Sequence, residues 1–148
     1  MYKKILVAID DSETSRSALR EALHIARSSN AKLYITHVAD ETLMSMHGRT
    51  FSTSLNIENA IHAIADAGRE LLVEAMKQAE GVDAEARLLE ARDRRISETL
   101  ADEARELGVD LIIIGRHGRR GLATLILGSV AEQIAKIASA SVLLVRKH

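Results

Sequence analysis

The sequence predicts an α/β domain: a single doubly wound, five-stranded parallel sheet, strand order 3-2-1-4-5, with helices on both faces. Three observations predict it. Short apolar runs alternate with helical periods along the whole chain. Two of those runs, Lys4–Ile9 and Asp110–Ile114, are apolar at nearly every position, as strands covered on both faces are. The two most ligand-like turns, Asp10–Glu13 and Gly115–Gly128, leave those same two runs, and in this strand order they flank the point where the order reverses. Right-handed crossovers then place helices on both sides of the sheet.

The first strand, Lys4–Ile9, is broken by Asp10-Asp-Ser12. A helix over Thr14–Ser28 carries Ala18, Leu19, Ala22, Leu23 and Ala26 on one stripe and stops at Asn30. Lys32–Val38 is the second strand. Ala39–Asn56 has no clean period and reads as a long loop. Ile57–Ala79 is the longest helix, with Ile57, Ile61, Ile64, Leu71, Leu72, Ala75 and Met76 as its apolar face and Gly81 as its stop. Ala84–Leu89 alternates like a half-exposed edge strand. A helix over Arg94–Leu107 ends at Gly108, and its charges Glu98, Asp102, Glu103 and Glu106, with Arg95 and Arg105, read as a solvated face. Asp110–Ile114, a helix over Ser129–Ala138 and a last strand Val142–Val145 complete the series.

A chain of 148 residues is one domain by prior and buries about 68–70% of its unfolded surface. Phe51, Tyr2 and Tyr34 are its only aromatic residues, so Ile, Leu, Val and Ala must build the core. Without cysteine there is no disulfide, no thiolate-bound zinc and no thiol catalysis. A formal net charge of -1 argues against nucleic-acid or anionic-membrane binding through bulk charge. No apolar run approaches the roughly 20 residues of a spanning helix, and the first strand begins without a signal-peptide pattern. A cytoplasmic protein without membrane insertion is the expectation.

Function is most legible in Gly115-Arg-His-Gly118, followed nine residues later by Gly128-Ser129. A strand, a glycine-rich turn and a helix opening on Gly-Ser make an anion site. Glycines admit a phosphate to backbone N–H groups, and the helix N-terminus offers unpaired donors and partial positive charge. Arg116, His117, Arg119 and Arg120 could add charge-assisted bonds or form a solvated charge run. Gly115 and Gly118 could simply turn the chain, Gly128-Ser129 could be an N-cap, and Asp10 and Ser12 could cap the first helix rather than meet a ligand.

Other chemistries fail on spacing. No lysine precedes Ser129 as a Walker A loop requires, and the first turn lacks the G-x-G-x-x-G of a dinucleotide fold. The six histidines lack metal-ligand spacing, and Met44-Ser-Met46-His47 stands without a second cluster.

The pattern Gly115-x2-Gly118-x9-Gly128-Ser129, with Ile-Leu-Val-Ala-Ile-Asp10-x-Ser12, Thr36-His-Val38 and Asp110-Leu-Ile-Ile-Ile-Gly115, resembles the universal stress protein family, and within it the ATP-binding branch. The resemblance spans residues 1–148. One departure is Ala140-Ser141-Val142, where the family commonly has a proline before the last strand. The resemblance implies an adenine-nucleotide-binding regulator of the stress response, usually a homodimer. Asp10 would bind the ribose, and backbone at Val38 would meet the adenine. Gly115, Gly118, Gly128 and Ser129, with Val130 beside them, would bind the phosphates. ATP, or AMP or ADP, is the implied ligand, with or without Mg²⁺, for which only Asp10, Asp11 and Glu13 offer nearby carboxylates.

The alternative is a slow ATPase or autophosphorylating enzyme on the same site, with Ser129 or His117 as the residue to suspect. No nucleophile–base–orienter set is readable, which favours binding over catalysis. An unidentified protein partner would then read the nucleotide state. Residues 40–56, directly after Val38, are expected to form a flap on the adenine side of the site. The apolar strand Val142–Val145 lies at a sheet edge in this strand order, lacks proline, and predicts an antiparallel two-fold homodimer.

Overall fold

The structure, a computed structural model, describes residues 1–40, 54–116 and 128–147, with only the backbone for 54–56. Residues 41–53 of the expected flap, and His117, Gly118 and Arg119, lie outside the described residues, while 54–56, expected to end the flap, form the first turn of a helix. In chain order the elements are β1 (Lys4–Ala8), α1 (Glu13–Ser29), β2 (Lys32–Ala39), α2 (Ser54–Lys77), β3 (Ala84–Glu90), α3 (Ile96–Leu107), β4 (Leu111–Gly115), α4 (Ser129–Ile137) and β5 (Ser141–Val145). The strands form one parallel sheet in the order β3-β2-β1-β4-β5.

Alternate side chains of the central strands enter opposite cores, which is why their sequences are apolar throughout. Ile5, Val7, Leu33, Ile35, Leu111 and Ile113 pack beneath α1 and α2, against Leu19, Leu23, Leu72 and Ala75. Leu6, Tyr34, Ile112 and Ile114 pack beneath α3 and α4, against Leu100, Ala104, Ala131 and Ile134. The stripe read on α1 is the buried one, and Asn30 ends that helix in the left-handed region, its N–H donating to the Ala26 carbonyl.

Boundaries differ where local geometry outweighs periodicity. Helix α2 begins at Ser54, three residues before its apolar stripe starts. Helix α3 begins at Ile96 rather than Arg94: Arg92 sits at φ 54°, and a turn donated from Arg94 N–H to Ala91 O occupies the preceding residues. Asp110 precedes β4 instead of joining it. Its carboxylate accepts from the backbone N–H groups of Lys3 and Lys4 at 3.0 and 3.2 Å, pinning the start of β1 to β4. The supposedly solvated face of α3 also holds a seated residue. The Glu103 carboxylate, 12% exposed, accepts from Arg87 on β3.

Candidate nucleotide-binding site

Helices α1 and α4 follow the adjacent strands β1 and β4 but cover opposite faces of the sheet. Their N-termini therefore stand on opposite sides of the sheet at the carboxyl ends of those strands, the reversal of strand order at which open sheets take ligands. The Asp10 turn lies there, and so do the described ends of the other segment, Gly115-Arg116 and Gly128.

The β1 side is an interlocked turn. Asp10 Oδ1 accepts from Ser12 N–H at 2.8 Å, and Ser12 Oγ caps α1 by accepting from Ser15 N–H at 3.2 Å. Ser15 Oγ reaches back to accept from Asp10 N–H at 2.8 Å. Ser12 Oγ also lies 3.2 Å from Thr14 Oγ1. So Ser12 is a helix cap, and one carboxylate oxygen of the half-buried Asp10 is committed to the turn. Ser15 escaped the sequence reading. Its signal was the spacing Ser12-x-x-Ser15, that of a cap and the third helical residue, although its hydroxyl takes the N–H two residues before the cap rather than the cap's own.

The β4 side is built on glycine for two separable reasons. A Cβ on Gly115 would stand 3.0 Å from Thr14 Oγ1 and 3.1 Å from Thr14 C and Cβ. The close approach of α1 to β4 thus leaves little room for a side chain at 115 independently of any ligand. At 128 the glycine is the N-cap of α4, with extended backbone and no side chain capping the first turn. Among the described residues the first-turn N–H groups, those of Ser129 and Val130 included, have no side-chain acceptor, and the helix places partial positive charge behind them. Gly128 N–H donates to Arg116 O at 2.9 Å and Arg116 N–H to Val145 O at 2.8 Å, so the two ends of the glycine-spaced segment meet at the foot of α4.

Val38 lies on β2 beyond Ala8–Thr36, the last register pair with β1. Thr36 turns its carbonyl toward β1, accepting from Ile9 N–H at 2.8 Å. In a parallel strand the same orientation recurs every second residue. The backbone of Val38 therefore faces the side that β1 has left. The side chain of Thr36 is wholly buried, and its hydroxyl has no hydrogen-bond partner among the described residues. At the rim Lys147 forms an ion pair with Glu13 in the first turn of α1. That hydrogen bond and the ammonium charge hold the Glu13 carboxyl below its ordinary range.

A model described as the universal stress protein family matches residues 1–146. The chain belongs to that family. It is 34% identical to the universal stress protein YxiE of Bacillus subtilis, over 99% of this chain and 100% of that protein. A solved universal stress protein family structure from Burkholderia pseudomallei superposes with a TM-score of 0.77 at 31% identity, covering 97% of this chain and 96% of the other. A universal stress protein solved in complex with cAMP superposes with a TM-score of 0.70 at 27% identity, covering 99% of each chain. Among the described residues, no helix is long and apolar enough to cross a membrane.

Proposed function

We propose that this universal stress protein is an adenine-nucleotide-binding regulator of the stress response, of the ATP-binding branch, that works as a homodimer. The observation that supports the reading is that α1 and α4 start on opposite sides of the sheet at the ends of the adjacent strands β1 and β4, with Asp10 before one helix and, among the described residues, no side-chain cap on the other. Asp10, with one oxygen left over from its turn, takes the ribose hydroxyls. The β1-facing backbone of Val38 takes the adenine edge. The N–H groups of Ser129 and Val130 take phosphates over Gly115 and Gly128, with Arg116, His117, Gly118 and Arg119 completing the loop and Ser12 shaping the opposite wall. The cAMP complex of a relative supports an adenylate as the ligand class. ATP, ADP and AMP are the candidates, and the dimer forms through the edge strand Val142–Val145.

Calorimetric titration with ATP, AMP and cAMP tests the reading. Gly118→Val should weaken ATP at least tenfold, about 1.4 kcal/mol. No binding by the wild type, or undiminished binding by the variant, overturns it.

A further inference from the structure

We propose that His37 is a positioning residue for the Asp10 turn, and that through Gly68 it ties the geometry of that turn to helix α2. The inference rests on the nucleotide reading above.

Ile9 is the last residue before the turn and lies just beyond β1. Both of its peptide groups are held by consecutive residues of β2. Its N–H donates to Thr36 O at 2.8 Å, and its carbonyl accepts from His37 Nδ1 at 2.7 Å. A carbonyl can only accept, so Nδ1 carries the proton. The imidazole thus supplies a donor at the place where the two strands separate and their ladder has ended. The carbonyl it holds belongs to the peptide whose N–H is Asp10's, and that N–H makes the next bond, to Ser15 Oγ. Displacing the Ile9 carbonyl therefore rotates the peptide plane on which the Asp10 carboxylate is mounted.

The ring is fixed from its other side by an absence of bulk. A Cβ on Gly68 would stand 2.8 Å from His37 Cδ2 and 2.9 Å from Leu88 Cδ1, closer than side chains pack. Gly68 lies inside the 24-residue helix α2. There a glycine is about 1 kcal/mol less favourable than alanine. Room for the imidazole accounts for it. The chain of contacts runs from α2 through Gly68, the His37 ring and the Ile9 carbonyl to Asp10.

Three variants test the assignment: His37→Leu, which has no donor; His37→Asn, whose side-chain amide keeps an N–H near the Nδ1 position; and Gly68→Ala, which crowds the ring from α2. The first measurement needs no nucleotide. Amide hydrogen exchange at Asp10 and Ser12, referred to the global stability of each variant, should accelerate about tenfold in His37→Leu, as loss of one ordinary hydrogen bond implies. It should return toward wild type in His37→Asn and rise in Gly68→Ala. The second measurement is the ratio of affinities for ATP and its 2′,3′-dideoxy analogue. That ratio should fall toward one in His37→Leu and Gly68→Ala and recover in His37→Asn. A merely structural histidine would lower both affinities together and leave the ratio unchanged. Unaltered exchange at Asp10 in the leucine variant, or an unaltered ratio, overturns the proposal. If the wild type binds no nucleotide, it is the proposed function that has failed, and the exchange data alone decide the role of His37.

Discussion

Replacing Gly115 with alanine separates the two reasons for a glycine at the end of β4. The new Cβ would meet Thr14 at 3.0 Å from Oγ1 and 3.1 Å from C and Cβ. Thr14 is buried in the first turn of α1, and its carbonyl carbon is backbone, so the relief must come from a shift of the helix. Overpacking of this kind costs about 1–3 kcal/mol, offset by roughly 0.5–1 kcal/mol from removing a glycine from a strand. The difference spans about 0–2.5 kcal/mol, and because a backbone carbon is among the crowded atoms a loss of about 1–2 kcal/mol is expected. In a domain of this size that lowers the melting temperature by roughly 3–6 °C. Urea denaturation should show a lower midpoint with an unchanged slope. Adding Thr14→Ala removes the nearest atom and should restore part of the loss in a double-mutant cycle. A Gly115→Ala protein as stable as wild type refutes the packing argument. If such a protein also bound ATP more weakly, the glycine would be there for the phosphate alone.

Four further outcomes are expected. Thr36→Val should raise stability by about 1 kcal/mol, because a buried hydroxyl without a partner among the described residues is traded for a methyl of equal size; a lower urea midpoint would show that the hydroxyl is satisfied. Asp10→Ala should weaken ATP by roughly 1.5–3 kcal/mol, the worth of a charge-assisted hydrogen bond, while wild type prefers ATP to its dideoxy analogue; equal affinities would leave Asp10 a turn residue only. Leu143→Lys should turn a dimer seen by light scattering into monomers or insoluble protein, and an unchanged dimer moves the interface elsewhere. Because the folded Glu13 carboxyl lies below its ordinary value of 4.5, its attraction to Lys147 operates above that pH and is lost as pH falls through the depressed value. Lys147→Ala should bring the NMR titration of Glu13 back up, and an unmoved midpoint would show that the ion pair does not form.

The sheet was legible because its central strands are buried on both sides, and a run such as Leu111-Ile-Ile-Ile114 has few other uses. The turn at Asp10 was legible from the polar residues that break β1, and the end of β4 from the apolar run that stops at Gly115. Asymmetric, single-contact features were not. The role of Asp110 depends on Lys3 and Lys4, more than a hundred positions away. Glu103 reads as solvated until the sheet register sets Arg87 opposite it. Gly68 is an unremarked helix glycine until His37 and Leu88, which are register neighbours, are placed beneath it. Gly115 was read as access for a phosphate, whereas the crowding at Thr14 supplies a second cause that no spacing rule contains.

Pairing of β1 with β4 also bears on when the site can exist. The bond from Lys3 N–H to Asp110 joins residues 107 apart. The length-dependent part of closing such a loop is roughly 4 kcal/mol, to be met before the contacts it brings are made. Asp10 and Gly115 stand on opposite sides of that closure. A nascent chain that has completed β1, α1 and β2 holds the Asp10 side of the proposed site but not the side that carries Gly128 and Ser129, and it gains that side only after β4 and α4 have emerged and docked. Ligand binding at the proposed site would thus act as a check on completed synthesis. It would favour the finished fold by mass action and give nothing to partly made chains.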